Sequence, residues 1–335
     1  MRILVVGLGS MGRRRLRNLT HIGGHELAGM EPWADRATEV GAEFGIEVLP
    51  TLEAGLAWGP DALVISTPPD QHTPIALAAA RNGLPFFTEA SVVVHGMDEL
   101  IAAVDEAGTV AAPSCTMRFH PAVQLMRSRI AEGTIGRPLA LTHHVGQYLP
   151  DWHPWEDYRT YYVSKRETGA AREIVPFELN WLTYLFGPVT DLAALRGKVS
   201  DLEVDIDDIY SGVFAFENGV QGSMVIEVVS RPAIRRARIA GELGTLVWDW
   251  NGHVVQEWRA DTGAWEDFPD PDPVQGPGGE WVAENMYIEE MRGYLAAIEG
   301  TAPWPLPLRE DQSLLELVLR MERSSDAVRG AGRAE

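Results

Sequence analysis

The sequence predicts an α/β chain in two parts: a doubly wound parallel sheet over residues 1–119, then an α+β domain over residues 120–335 built on a mostly antiparallel open sheet. Two observations carry this. Short unbroken apolar runs alternate with helical segments as far as residue 119, and beyond it apolar residues alternate singly with polar ones, as in half-buried strands. At 335 residues the chain also exceeds what one hydrophobic core usually serves.

Residues 3–6, 27–30, 48–49, 62–65, 86–87 and 110–112 are the apolar runs of the first part and read as strands buried on both faces. Residues 13–20, 34–44, 71–82 and 97–107 separate them with helical periodicity, and Gly83 and Gly108 stand where helix C-caps belong. In the second part, residues 210–216, 221–229, 236–240, 245–250 and 254–259 alternate like strands with one wet face. Asn218-Gly219 and Asn251-Gly252 are expected to close hairpins as type I′ turns, which need positive φ at both central residues. Helices are expected at 122–132, 173–186, 283–299 and 309–329, with the Pro/Gly/Asp-rich residues 269–279 as a loop before the last two.

Composition narrows the function classes. Forty-eight acidic side chains against 28 basic ones give a net charge of -20, which argues against nucleic acid or an anionic membrane surface as partner. With 45% hydrophobic and 23% charged residues the chain reads as an ordinary globular protein. The single cysteine, Cys115, permits no internal disulfide and reads as a small buried apolar residue; with no leader pattern before the first strand, a cytoplasmic location is expected. Every apolar run is broken before the roughly 18 residues a membrane span needs. No zinc motif occurs, and His143 and His144, adjacent on a strand, point to opposite faces and cannot share a metal, so none is expected.

Gly7-Leu8-Gly9-Ser10-Met11-Gly12 follows the first apolar run and precedes a helix, the context in which G-x-G-x-x-G marks a dinucleotide site. Gly7 allows the tight turn, Gly9 lets backbone N–H groups near Ser10 and Met11 approach a pyrophosphate, and Gly12 lets the helix pack closely on the strand. Glu31 ends the next strand, where its carboxylate would accept from ribose hydroxyls and repel a 2′-phosphate. NAD is therefore the expected cofactor and NADP the alternative. Arg13, Arg14 and Arg15 either meet phosphate charge or form a solvated basic face.

This fingerprint of a Rossmann domain, Thr67-Pro68-Pro69 with His72, and Arg118-Phe119-His120-Pro121 followed by Glu132-Gly133-x-Ile135-Gly136 together resemble the Gfo/Idh/MocA oxidoreductase family. Gly241-Glu-x-Gly244-Thr245, Tyr294-Leu-x-Ala297-Ile298 and the amphipathic segment 314–324 extend the likeness along the chain. The resemblance implies NAD(P)-dependent chemistry on sugars and cyclitols, and homo-oligomers, dimers or tetramers, that often use the open sheet. It also implies that Thr67, Pro68, His72, Glu89, Ala90 and Arg118 join the glycine turn at the cofactor. Typical members carry Glu-Lys-Pro after the fifth strand, its lysine the acid/base, and Asp-x-x-x-His on the first long helix of the second domain. Here the first place reads Glu89-Ala90-Ser91, and the second aligns Glu173 with the aspartate, Phe177 with the histidine and Asn180 with a further aspartate.

Hydride transfer from an alcohol needs a group within about 3 Å to take the hydroxyl proton, and alanine and phenylalanine supply none. The segment from Tyr148 to Tyr162 is dense in aromatic and polar groups, and Tyr148, Trp152 and Trp155, with His144 and Phe177, are candidate contacts for a sugar ring. Lys165, His153, Tyr162, Glu173 and Glu178 are the candidate replacements for the missing acid/base. The expected function is oxidoreduction of a sugar, cyclitol or activated-sugar derivative with a non-standard acid/base, in one variant redox-neutral with retained NAD. The alternative is a catalytically silent homologue that binds NAD as a structural or sensing ligand.

Overall fold

The computed structural model describes residues 1–270, 274–275, 281–282 and 284–331. The chain divides into two compact units, Met1–Thr116 with Glu284–Ser313, and Met117–Ala283 with Leu314–Glu335. The sequence places one boundary at 119/120 and assigns everything beyond it to the second domain. Instead, the segment Glu284–Ser313 returns to the first unit, because its helix Glu284–Ile298 supplies Met291, Tyr294 and Leu295 to that unit's core.

In the first unit, β1 (Arg2–Val6), β2 (Glu26–Met30), β3 (Glu47–Leu49), β4 (Ala62–Ile65), β5 (Phe86–Thr88) and β6 (Ala111–Pro113) form one sheet in the order β3-β2-β1-β4-β5-β6. Every pair is parallel. The crossovers are α1 (Ser10–Ile22), α2 (Ala34–Phe44), α3 (Leu52–Ala57), α4 (His72–Arg81) and α5 (Met97–Ala107). Only α3, at six residues too short for a periodic signal, was not legible in the sequence. Ile3, Val5, Leu16, Leu19, Val64 and Phe87 fill the core. Tyr294 can sit among them because its hydroxyl donates to the carbonyl of Leu63 at 3.0 Å. Strand order reverses between β1 and β4, which leaves the turn after β1 at a topological switch point, where open α/β sheets bind ligands.

The second unit holds α6 (Pro121–Glu132), β7 (Pro138–Gly146), α7 (Ala170–Phe186), β8 (Val189–Gly197), β9 (Ile209–Phe216), β10 (Gln221–Glu227), β11 (Ile234–Gly241), β12 (Gly244–Asp249), β13 (Val254–Arg259) and β14 (Ala264–Pro269). Its sheet runs β14-β13-β12-β11-β7-β10-β9-β8, with β7 and β10 parallel and all other neighbours antiparallel. β14 escapes a pattern reading because almost all of it is exposed, and β8 because Leu-Ala-Ala-Leu does not alternate. Across the sheet His143 pairs with Met224 and Ala237 in a buried row, while His144 pairs with Val225 and Arg236 in the opposite row. α7 packs on β9 and β10 on the buried side.

The hairpin turns differ from expectation. Neither Asn218 nor Asn251 takes a positive φ; Gly219 (φ 89°) and His253 (φ 49°) do. Their N–H groups donate to Phe216 O at 2.9 Å and Trp250 O at 3.1 Å, so each turn places its left-handed residue last, the commonest alternative to type I′. Of residues 269–279, read as a loop, 271–273 and 276–279 lie outside the described residues, and Val274–Gln275 pairs antiparallel with Trp281–Val282. Among the described residues no helix is long and apolar enough to cross a membrane, and no three His, Cys, Asp or Glu side chains gather as a metal site would need.

Candidate functional site

The glycine turn of the first unit has the geometry of an anion cradle. Gly7 sits at φ 85°, and a Cβ there would stand 2.9 Å from the Ser66 carbonyl. A Cβ on Gly12 would stand 1.9 Å from the Gly7 carbonyl, so only glycine lets α1 begin this close to β1. A Cβ on Gly9 would meet no protein atom within 4 Å. α1 starts there with no side-chain cap and no acidic residue in its first turn, so its leading N–H groups and dipole face an open space beside exposed Ser10 and half-buried Met11. These residues fit the pyrophosphate of a dinucleotide.

Glu31, 4% exposed, accepts from Leu8 N at 3.1 Å, Trp33 N at 3.2 Å and Arg36 Nη1 at 3.4 Å, which fixes its carboxylate beside the glycine turn. Arg36 also lies over the ring of exposed Trp33, 4.6 Å from its centroid. Sequence reasoning missed both, though they lie two and five residues beyond the acidic residue it singled out. The arginines of the cluster are engaged by carboxylates within the first unit. Arg13 pairs with Glu39 and Glu43 on α2, and Arg14 with Glu284.

Arg15 is fully buried and holds Glu89 (2.6 Å) and Glu290 (2.7 Å). Burial opposes its charge, but the two carboxylates outweigh burial and raise its pKa; burial in turn pushes the Glu290 carboxyl up. Glu89 therefore spends its carboxylate on Arg15 and on Ser66 Oγ (3.3 Å), beside half-buried Ala90. His72 is buried, with Nε2 2.7 Å from Thr67 O, and burial lowers its pKa; it braces the Thr67-Pro68 loop from beneath. Arg118 lies in the second unit, where Nε donates to Asn180 Oδ1 at 2.6 Å and Nη2 to Asn180 O at 3.2 Å.

In the second unit, four of the residues singled out in the sequence come together at the head of α7. Tyr162 Oη donates to Glu173 Oε1 at 3.1 Å, and Tyr161, edge-on to Tyr162, stacks on His153, which stacks in turn on Trp155. Burial, with Glu156 and Glu173 nearby, pushes the Tyr161 hydroxyl up to about 12. Lys165 is exposed, three residues beyond Tyr162. Trp155 is 77% exposed, Trp152 donates to Gln147 O at 3.2 Å, and Tyr148 lies under the Arg231 guanidinium.

Glu178, a candidate base, is tied into the inner face of the sheet. It is fully buried, and its carboxylate accepts from Trp181 Nε1 (2.7 Å) and Arg235 Nη2 (2.7 Å) and faces His143 Nε2 (2.8 Å). Burial alone would raise its pKa, but Arg235, His143 and Trp181 outweigh it and hold the carboxyl down to about 2, too acidic to capture a proton near neutrality. His144, read as a substrate contact, pairs with Glu227 (3.1 Å) in the outer row, whereas His143 faces α7. Phe177 lies beside Arg235, 5.8 Å from ring centroid to guanidinium. Arg235 was missed, although the period-2 pattern through Ala237 and Ile239 puts it on the inward face.

Residues 1–114 match the family described as "Oxidoreductase family, NAD-binding Rossmann fold", and residues 123–247 match "GFO/IDH/MocA C-terminal domain". The chain is similar to the scyllo-inositol 2-dehydrogenase (NAD(+)) of Bacillus subtilis (strain 168), 33% identical over 146 residues, 42% of each protein. It is also similar to the levoglucosan dehydrogenase of Pseudarthrobacter phenanthrenivorans, 28% identical over 221 residues, 56% of this chain and 55% of that one. The matches span about two fifths of the length of the first of these relatives. Among solved structures, levoglucosan dehydrogenase in complex with NADH superposes with a TM-score of 0.85 at 19% identity, covering 98% of this chain and 97% of that chain. An oxidoreductase from Agrobacterium radiobacter in complex with NAD+, L-tartaric acid and magnesium gives 0.86 at 15% identity, covering 97% and 96%.

Proposed function

We propose that this chain, which belongs to the Gfo/Idh/MocA oxidoreductase family, is an NAD-dependent dehydrogenase acting on a CH–OH group of a sugar, cyclitol or activated-sugar derivative. The observation that carries the reading is the uncapped N-terminus of α1 behind Gly9, with open space where a Cβ would stand. The names of its relatives, which include dehydrogenases of inositol, UDP-N-acetylglucosamine and levoglucosan, support the substrate class.

When bound, the nicotinamide supplies the acceptor for the hydride that leaves the carbinol carbon. The chain's task is the hydroxyl proton. Tyr162 and Glu173 take the role that Ala90 and Phe177 cannot fill: Tyr162 Oη receives the substrate proton as its own passes along the 3.1 Å hydrogen bond to Glu173, which releases it to water. The alcohol thus loses one hydride and one proton and becomes a carbonyl. The same reading has copies of the chain associating, as dimer or tetramer, through the outer face of the sheet, where Leu195 on β8 and Val213 on β9 are 49% and 57% exposed.

The test is a panel of cyclitols, neutral sugars and sugar acids with NAD+, read by reduced-nicotinamide absorbance. Tyr162→Phe and Glu173→Gln are each expected to lower kcat by about 10²–10⁴-fold with NADH affinity unchanged. Lys165→Met, at an exposed side chain, should change little. A fall confined to Lys165→Met would move the acid/base to the lysine. Wild-type protein that binds NADH yet turns over nothing would favour the silent homologue.

A further inference from the structure

A buried cluster on the inner sheet face joins Arg235, His143 and Glu178. Asp270 stands 3.6 Å from His120 Nε2 at the cluster's edge, and the cluster's fully buried carboxylate is Glu178. Against it stand the Arg235 guanidinium and His143, whose two ring nitrogens face acceptors, Nε2 the Glu178 carboxylate at 2.8 Å and Nδ1 the Arg236 carbonyl at 3.1 Å. His120 lies within the influence of the same guanidinium: burial and Arg235 together push its pKa down to about 3.

Arg235 has unused capacity. Among the described residues Glu178 takes only its Nη2, and its Nε is buried without a hydrogen-bond partner. The side chain as a whole is 19% exposed. The ring of Trp250 lies 4.8 Å from the guanidinium and that of Phe177 5.8 Å, both half-buried, which gives the cation two apolar walls. In a chain of net charge -20, a cation with a spare donor between two aromatic rings is a site for an anion that also presents apolar surface.

We propose that Arg235 binds the carboxylate of an acidic sugar or cyclitol, whose ring packs between Phe177 and Trp250. The inference rests on the proposed dehydrogenase reading for its substrate class and narrows that class to carboxylated members. His143 and Trp181 are positioning residues: they hold Glu178, and Glu178 holds the guanidinium in place.

The experiment compares D-glucuronate with D-glucose, and D-galacturonate with D-galactose, by calorimetric binding and by kcat/KM with NAD+. Wild-type protein should favour each acid over its neutral partner by about 10- to 100-fold, the worth of one charge-assisted hydrogen bond. Arg235→Met should erase that ratio, and Arg235→Lys should keep part of it. Because Arg235→Met strands the Glu178 charge, the double variant Arg235→Met/Glu178→Gln is measured beside it; a folded double variant with no acid preference is the expected result. Equal use of acid and neutral sugars by the wild type, or an acid preference that survives in the folded double variant, overturns the proposal. If nothing is turned over but glucuronate binds and Arg235→Met abolishes its binding, the anion site stands and the dehydrogenase reading falls.

Discussion

Replacing Gly9 with alanine should separate cofactor binding from folding. The backbone at Gly9 is extended (φ -70°, ψ -160°), which alanine adopts freely, and the added methyl would meet no protein atom within 4 Å. The fold should lose only the difference between glycine and alanine as an N-cap, about 1 kcal/mol, or a few degrees in Tm. Binding should lose far more, because the methyl occupies the space in which a pyrophosphate would reach the first N–H groups of α1. Two charge-assisted hydrogen bonds at about 1.5–3 kcal/mol each give about 3–6 kcal/mol, or roughly 10²–10⁴-fold in Kd. Gly12→Ala is the control: its Cβ would stand 1.9 Å from the Gly7 carbonyl, so that variant should lose stability and binding together. NADH titration followed by tryptophan quenching, with a thermal melt of each variant, measures both quantities. Undiminished NADH affinity in a well-folded Gly9→Ala protein would refute the assignment of this turn to the pyrophosphate.

His120 sets an acid limit on stability. Its pKa of about 3 in the fold, below the ordinary value of 6.5, keeps the ring neutral there while the unfolded chain takes up a proton, so its contribution is complete above pH 6.5 and is lost as pH falls toward 3. Between pH 6.5 and 5 that amounts to about 2 kcal/mol, and urea unfolding of His120→Asn, which can still cap α6, should show a flatter pH profile; identical slopes would mean the ring is not held neutral. Glu31→Ser should shift preference toward NADP, since it removes carboxylate repulsion and frees Arg36 for a 2′-phosphate; a wild type that already prefers NADP would contradict the role given to Glu31. Val213→Lys with Leu195→Lys should yield monomers by light scattering if the outer sheet face joins copies of the chain, and an unchanged oligomer mass would exclude that face.

Local signals made the first unit legible. Its parallel strands are buried on both faces, so β1, β2 and β4 appear as unbroken apolar runs, and the glycine turn is specified by residues next to one another in sequence. Tyr162 and Glu173 were both legible as candidates, but their pairing was not: the helix read from residue 173 begins at Ala170 and turns Glu173 toward the tyrosine eleven residues before it. Other features were decided by partners far apart in the chain. Arg15 reads as one of three similar arginines until Glu89 and Glu290 reach it across 74 and 275 residues. Glu178 reads as a base until Arg235 and His143 arrive from β11 and β7 and make it a weak one. Which of His143 and His144 faces inward depends on the register of β7 against β10 and β11, and a shift of one residue exchanges them. Periodicity and turn chemistry are properties of neighbouring residues and therefore belong to the sequence. The charge state and accessibility of a side chain depend on what folding brings against it, and only the tertiary structure decides them.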